Sequence, residues 1–228
     1  MPHHFNSRLL RTKSFHFLAS PDELEDQVSM LLRLRQEQDI TQRPLIVWES
    51  APLSCNIANL ASHFNACALV DVFSPNHLEL GYLVDGESLH ETEFSPSAVE
   101  SQAGRFLAIG VGPNREGLVL IRSGEHGVLF ASSKDKANWL PAYYKNNGSG
   151  EIVDPTGAGN TFLGAFTVAL QETKDPREAC LRESVAASYA LEQFGPAKLT
   201  ASWLSKELWN GSCVQSRLRD FKARIPAA

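Results

Sequence analysis

Apolar residues occur along this chain in two alternating patterns, short continuous runs and longer stretches with helical spacing. The continuous runs predict buried strands of the kind found in parallel sheets, at residues 14–18, 44–49, 70–73 and 117–122. The stretches with helical spacing predict helices within residues 21–34, 56–68, 77–84, 96–111, 176–194 and 200–209. This alternation predicts an α/β fold, a doubly wound parallel sheet with helices on both faces.

Three segments lie outside this alternation. Residues 128–130 are a further apolar run, which predicts a hairpin partner for the strand at 117–122. The tail, residues 216–228, is basic, and we expect it to pack loosely. Residues 1–13 contain basic residues and no acid, so they form either a weak organellar presequence or a loop. We therefore expect one domain, residues 14–228, after this leader or loop.

Composition and charge exclude several classes of function. With 43% hydrophobic and 21% charged residues, the 228-residue chain resembles a soluble globular protein. The net charge of −5, without a basic run, predicts no nucleic-acid partner. No apolar stretch reaches the length of a membrane span, so we expect no membrane association. The four cysteines lie far apart and the seven histidines have no metal-binding spacing, which favours reduced thiols in a cytoplasmic protein.

A glycine-rich stretch at residues 150–166 is the strongest candidate for chemistry. Ile152 and Val153 predict the end of a buried strand, and a turn of small residues separates them from an apolar pattern of helical period. The residues predicted to form the buried face of that helix are Phe162, Leu163, Phe166, Val168 and Leu170. A helix that begins at such a turn presents unpaired amides and partial positive charge, which suit phosphate. A P-loop and a dinucleotide fingerprint both fail here, because Ala165 replaces the lysine of the first and Phe162 the third glycine of the second.

This stretch resembles the signature of the ribokinase-like (PfkB) sugar and nucleoside kinases, Asp-Thr-x-Gly-Ala-Gly-Asp followed by a helix. The matching residues are Asp154, Thr156, Gly157, Ala158, Gly159, Phe162 and Gly164. The variant with Pro155 and Asn160 looks like a fungal branch of that family. The alternative interpretation is an ordinary glycine-rich turn between a strand and a helix.

One position departs from the family pattern. The resemblance implies a catalytic anion turn at Gly157, Ala158, Gly159 and Asn160, and in the family the last of these positions holds the aspartate that acts as general base. A carboxylate can accept a proton near neutral pH, whereas the carboxamide of Asn160 can only form hydrogen bonds.

The segment from Asn76 to Glu79 resembles the Asn-x-x-Glu motif of the family. That motif helps to organise Mg²⁺, water and phosphate, and it follows a predicted strand, where open α/β sheets bind ligands. Mg²⁺ keeps several waters in proteins and needs few carboxylates, so one glutamate suffices. The alternative is a helix cap followed by a solvated glutamate.

Two further segments resemble the nucleotide-binding parts of the family. The first runs from Arg122 to Gly127, with Ser123, Gly124 and Gly127 at the nucleotide, and Arg122 replaces the usual small polar residue. Arg122 can pair with phosphate or lie exposed in a plain hairpin turn. The second contains Ser184 and Ala187, where relatives line the adenine pocket; the alternative is a packed helix face.

Asp154 and Thr156 precede the anion turn. The resemblance implies that this neighbourhood helps to bind a monovalent cation, and the alternative is that Asp154 caps the helix.

The resemblance implies ATP-dependent phosphoryl transfer, with ATP and Mg²⁺ as cofactors, to a hydroxyl of a sugar-like or nucleoside-like substrate. We expect the activity to be impaired by Asn160, and the chain to correspond to the C-terminal, nucleotide-binding part, because the substrate half and lid of the family have no counterpart before Ser14. An oligomer is compatible with the sequence. The alternative is a catalytically inactive homologue that binds a nucleotide or a partner.

Overall fold

The computed structural model describes residues 7–86, 94–135, 137–145, 150–203 and 206–225. The chain forms two compact units. The first unit contains Met1–Ile121 and Leu129–Asn138, and the second contains Arg122–Val128 and Trp139–Ala228. Residues 86–96 are acidic and polar in composition, and part of this segment lies outside the described residues, as does part of the Asn- and Gly-rich segment before Gly150. No helix in the described ranges is both long and apolar enough to cross a membrane.

A sheet whose strands follow one another in chain order has most of its residues in the first unit. Its strands are β1 (Ser14–Ala19), β2 (Leu45–Ser50), β3 (Val72–Phe73), β4 (Leu118–Arg122), β5 (Val128–Ser132) and β6 (Asn138–Leu140). Strands β1 to β4 pair in parallel, and β5 is the neighbour of β4 across a short turn, as a hairpin requires. The predicted α/β class with a parallel sheet is confirmed.

Helices lie between the strands as predicted, and a short additional helix precedes β1 within residues 1–13, which were expected to be a presequence or a loop. They are α1 (Ser7–Leu10), α2 (Pro21–Gln36), α3 (Leu60–Cys67), α4 (His77–Asp85) and α5 (Pro96–Ile109). Helix α2 begins where the sequence predicts, because Pro21 occupies the first turn and the Glu23 carboxylate accepts a hydrogen bond from the Ser20 amide at 2.9 Å. The core stacks Trp48, Phe73 and Phe106 with ring centroids 4.9 and 4.6 Å apart.

The second unit combines two long helices, a small antiparallel sheet and a C-terminal helix. Its elements are α6 (Ala158–Thr173), α7 (Pro176–Leu191), β7 (Leu199–Trp203), β8 (Lys206–Trp209), β9 (Ser212–Cys213) and α8 (Val214–Ala223). The helix predicted at 200–209 is therefore wrong. Asn210 and Gly211, with φ of +46° and +78°, make the two-residue turn between β8 and β9, and Asn-Gly is a strong hairpin signal.

The prediction of a loosely packed tail is also wrong. Phe221 of α8 is only 1% exposed, and the Arg217 side chain is 14% exposed. The Arg217 guanidinium donates to both carboxylate oxygens of Glu192, to Ser212 Oγ at 2.7 Å and to Ser188 Oγ at 3.0 Å. These hydrogen bonds fix α8 against α7 and β9.

Candidate functional site

The segment before α6 is not a strand, so the prediction from Ile152 and Val153 is wrong. The amides of Val153 and Asp154 donate to the Leu191 carbonyl, at 2.7 and 3.2 Å, and Val153 is 47% exposed. The backbone amides of this segment thus form hydrogen bonds with the end of α7 and not with a neighbouring strand. Within α6, Leu163, Phe166 and Leu170 are buried as predicted, whereas Val168 is exposed.

The anion turn leads into α6 through a glycine with left-handed backbone. Gly157 precedes the first helical residue, Ala158, and has φ of +81°. A Cβ at Gly157 would meet nothing within 4 Å, so this position requires glycine for its backbone conformation and not for space. The Ala158 amide donates to the Pro155 carbonyl at 3.2 Å, so the amides of Gly159 and Asn160, which have no carbonyl one turn earlier within the helix, are the ones that can receive an anion.

Asp154 does not cap α6, which contradicts one of the two alternatives. Its Oδ1 accepts a hydrogen bond from the Thr156 amide at 2.9 Å, and this bond lowers the pKa of the Asp154 carboxyl. Gly157 occupies the position before the helix instead. Asp154 therefore shapes the turn as an ionised side chain, which keeps it compatible with a cation.

The segment from Ser123 to Gly127 closes the hairpin between β4 and β5. The Ser123 amide donates to the Gly127 carbonyl at 2.8 Å. Gly127 has φ of +94°, and a Cβ there would overlap the Leu140 carbonyl oxygen. Gly124, with φ of +56°, has open space around it. Gly127 is thus required twice, for its backbone angle and for the close approach of the chain at Leu140.

A cavity of about 340 Å³ lies in the second unit, and it gathers most of the nucleotide-binding residues predicted from the sequence. The predicted residues that line it are Ser123, Gly124, Gly127, Ala158, Gly159, Ser184 and Ala187. Gly157, Thr156, Asp154 and Asn160 lie next to these residues in the chain but do not line the cavity. Asn160 is exposed, in the first turn of α6.

Two polar side chains bring hydrogen-bonding capacity to an otherwise largely apolar cavity. Ser123 is fully buried, and its hydroxyl has no hydrogen-bond partner among the described residues. Arg122 lines the same cavity with its Nε buried, so the alternative of an exposed arginine is wrong. A buried hydroxyl without a partner costs free energy, and a ligand that hydrogen bonds to it would recover that cost.

The aromatic wall of the cavity has no counterpart in the sequence-based prediction. Tyr143 and Tyr144 line it. Both side chains are held in place by contacts with other residues of the second unit. The Tyr144 hydroxyl donates to Glu192, and burial together with that carboxylate raises the pKa of Tyr144. The Tyr143 ring lies 5.2 Å from the Phe221 ring and carries the Arg224 guanidinium 4.7 Å above it. In the sequence, the only feature that could have indicated this aromatic wall is the pair of adjacent tyrosines in a loop.

Asn76 and Glu79 lie in the first unit, at the start of α4, and form a capping box. Asn76 Oδ1 accepts from the Glu79 amide at 2.8 Å, and Glu79 Oε2 accepts from the Asn76 amide at 2.7 Å. Carboxylate and amide oxygens suit Mg²⁺ and retain further lone pairs, so the donor set fits a metal that is held mainly by phosphate and water. Among the described residues, no group of three or more His, Cys, Asp and Glu could hold a metal ion.

Comparison with known proteins gives both a family and a fold. The pattern of the family described as pfkB family carbohydrate kinase matches residues 36–202. The chain is 30% identical over 226 residues to an uncharacterized protein of Schizosaccharomyces pombe and 27% identical over 216 residues to Protein MAK32 of Saccharomyces cerevisiae. These alignments cover 93% and 91% of this chain, but only 60% and 56% of the two yeast proteins.

Solved structures agree with the predicted ribokinase-like fold. The ribokinase of Thermotoga maritima is 25% identical with a TM-score of 0.52, over 81% of this chain and 50% of that one. The adenosine kinase of Schistosoma mansoni, solved with 2-fluoroadenosine, is 17% identical with a TM-score of 0.65, over 85% of this chain and 54% of that one. The predicted fold is confirmed.

Proposed function

Because the chain belongs to the pfkB family of carbohydrate kinases, we propose that it binds Mg-ATP in the cavity of the second unit. We further propose that it transfers phosphoryl groups slowly to a hydroxyl of a sugar-like or nucleoside-like substrate. The observation that carries the proposal is the convergence of seven predicted site residues on that one cavity, five predicted to bind the nucleotide and two, Ala158 and Gly159, predicted in the catalytic anion turn. These residues come from three segments far apart in the sequence, so chance proximity does not account for it.

The cavity has the size and chemistry that a nucleoside part of ATP needs. Its volume of about 340 Å³ lies in the range of small-molecule sites, roughly 300–1,000 Å³. Tyr143 and Phe162 offer rings to a base, and the buried Ser123 hydroxyl offers a hydrogen bond without a competing partner among the described residues. Ala158 and Gly159 bring the positive end of α6 to the same cavity for phosphate.

Each residue of the anion turn would have a defined role. The amides of α6 would hold phosphate oxygens as negative charge develops, and Gly157 would keep the backbone in the left-handed angle that exposes them. Asn160 would orient the acceptor hydroxyl by a hydrogen bond without removing its proton. Asn76 and Glu79 of the first unit are the residues that would contribute to a Mg²⁺ site. Asp154 would contribute to a monovalent cation site.

A non-catalytic nucleotide-binding relative is the second candidate, and Asn160 is the observation that favours it. A positioned base contributes on the order of 10²–10⁴ in rate. Phosphoryl transfer, however, depends mainly on positioning and electrostatics, because its transition state is loose. The loss of the base alone therefore predicts a slow kinase, and complete inactivity would require that the acceptor is not held.

Nucleotide binding is tested by calorimetry with Mg-ATP on the wild type and two matched variants, Gly157→Val and Gly195→Val. Both glycines have φ near +80° and open space for a Cβ, so both variants introduce the same backbone strain. Only Gly157 lies at the anion turn. We expect Gly157→Val to weaken Mg-ATP binding at least about tenfold and Gly195→Val to leave it within about twofold. A folded wild type that binds no Mg-ATP would refute the proposal.

Transfer is tested separately by ³¹P spectroscopy with Mg-ATP and a panel of sugars and nucleosides. A new phosphate-ester signal that depends on the added hydroxyl compound supports the slow kinase. Tight Mg-ATP binding without any new ester over days, across the panel, would favour the non-catalytic candidate.

A further inference from the structure

Glu183 is a carboxyl group in a place where a globular core normally has an apolar residue. It lies on α7 directly before Ser184, a residue of the cavity wall, and is itself fully buried. Neither carboxylate oxygen accepts a hydrogen bond from a nitrogen or oxygen donor among the described residues, and the weakly donating thiol of Cys180 lies nearby. Burial of an unsatisfied carboxyl is costly, and groups kept at such cost occur preferentially at functional sites.

Arg122 lines the cavity at the end of β4, and its charge lowers the pKa of Glu183 against the effect of burial. Arg122 and Glu183 both belong to the second unit. Arg122 stands where the pattern of the family has a small polar residue, so this cation is a departure of the chain from that pattern. Removal of Arg122 alone would leave the buried Glu183 without the guanidinium charge that offsets part of the cost of its burial.

We propose that Arg122 makes the cavity selective for phosphate-bearing ligands, and that Glu183 is a positioning residue that sets how much of the Arg122 charge a ligand can use. This inference rests on the proposed function, because it requires a nucleotide in the cavity. Arg122 would donate to a phosphate oxygen of the nucleotide, a contact for which a planar guanidinium is well suited. Glu183 would act only through Arg122 and would not touch the ligand.

The pair also makes phosphate binding dependent on a proton. Burial raises the pKa of Glu183 well above its usual value, and the Arg122 guanidinium and the Cys180 thiol act in the opposite direction but do not outweigh burial. A phosphate bound to Arg122 adds negative charge near the carboxyl and raises that pKa further. Ligand binding therefore draws a proton onto Glu183, and the affinity for phosphate should fall as the pH rises through the pKa of the free protein.

The test compares Mg-ATP with adenosine on the wild type, Glu183→Gln, Arg122→Ser and the double variant Arg122→Ser/Glu183→Gln. Adenosine lacks phosphate, so its affinity measures binding of the nucleoside to the cavity alone. The difference between Mg-ATP and adenosine then measures the contribution of the contact between Arg122 and phosphate. The double variant is included because Arg122→Ser alone leaves Glu183 without its cation and could unfold the second unit. Melting temperatures of all four proteins establish which of them are folded.

Calorimetry at pH 6.5 and 8.5, in buffers with different ionisation enthalpies, measures affinity and proton uptake together. Arg122→Ser and the double variant should bind Mg-ATP at least about tenfold more weakly, with adenosine affinity within about twofold of wild type. Glu183→Gln should bind Mg-ATP more tightly than wild type at pH 8.5 and should take up fewer protons. The ionisation of ATP itself is the same for wild type and Glu183→Gln, so their difference isolates Glu183.

The outcomes separate this inference from the proposed function. A wild type that binds adenosine and Mg-ATP, with the double variant unchanged for both, would retain the proposed function and overturn the role of Arg122. Equal loss of adenosine and Mg-ATP in the double variant would reduce Arg122 to a structural role. Unchanged proton uptake in Glu183→Gln would overturn the role of Glu183. A folded wild type that binds neither ligand would refute both.

Discussion

Replacement of Arg217 by alanine should destabilise the second unit by about 1.5–3 kcal/mol, the range for lost hydrogen bonds to a charged group, because the Arg217–Glu192 ion pair is partly buried. The Arg217 guanidinium donates to both oxygens of Glu192 and to two serine hydroxyls, and it stacks 3.9 Å from the centre of the Tyr189 ring. The side chains of Arg217 and Glu192 are only 14% and 19% exposed, so little water would replace the lost hydrogen bonds. The individual bonds are not additive, and the cost of leaving Glu192 unpaired dominates.

Urea unfolding followed by circular dichroism measures this cost, and Arg182→Ala is the matched control. Arg182 pairs with Glu172 and Glu178, but its side chain is 40% exposed, so its loss should cost less than about 1 kcal/mol. A double variant with Arg217→Met and Glu192→Leu should recover part of the loss, because it leaves no unpaired charge. Equal midpoints for Arg217→Ala and Arg182→Ala would refute the reasoning that α8 is held by this ion pair.

Three further predictions concern the same unit. Burial raises the pKa of Glu192, but hydrogen bonds from Arg217 and Tyr144 outweigh it and leave it below its usual 4.5. The stability from Glu192 is therefore complete above about pH 4.5 and lost as the pH falls through the lowered pKa, and acid titration of Glu192→Gln should lack that contribution. Gly127→Ala should lower the melting temperature by several degrees, whereas Gly164→Ala, with free space in a helix, should not; equal shifts would contradict the overlap with Leu140. Asn160→Asp should raise phosphoryl transfer about tenfold or more wherever ³¹P spectroscopy detects it, and equal rates would show that Asn160 suffices.

The parallel part of the fold was predictable because its signals are local. The strands from β1 to β4 are continuous apolar runs, and α2 begins at a proline and two acids that favour a helix start. The helix predicted at 200–209 failed because apolar spacing in a short segment is ambiguous between helix and strand. The decisive signal was the turn at Asn210 and Gly211, which specifies the β8–β9 hairpin.

In the candidate site, the sequence allowed prediction of the turns formed by the backbone but not of the side chains that line the cavity. Glycines that need unusual angles or close approach, such as Gly127 and Gly157, are visible as motif positions. The aromatic wall was not predictable, because Tyr143 and Tyr144 are fixed by Phe221 and Glu192, which are distant in the sequence. Glu183 was not predictable either, because its proposed role depends on its burial and on the charge of Arg122.

Nucleotide binding and phosphoryl transfer would depend on different residues of this chain. In the proposed function, the cavity with Ser123, the anion turn at Gly157 and the start of α6 would all serve a bound nucleotide, and none of them depends on the side chain at 160. The carboxamide of Asn160 affects only the step in which the acceptor loses its proton. A base contributes at most on the order of 10⁴, whereas alignment of two reactants can contribute on the order of 10⁵ or more. The rate of this protein should therefore depend more on how firmly an acceptor is held in line than on the residue at position 160.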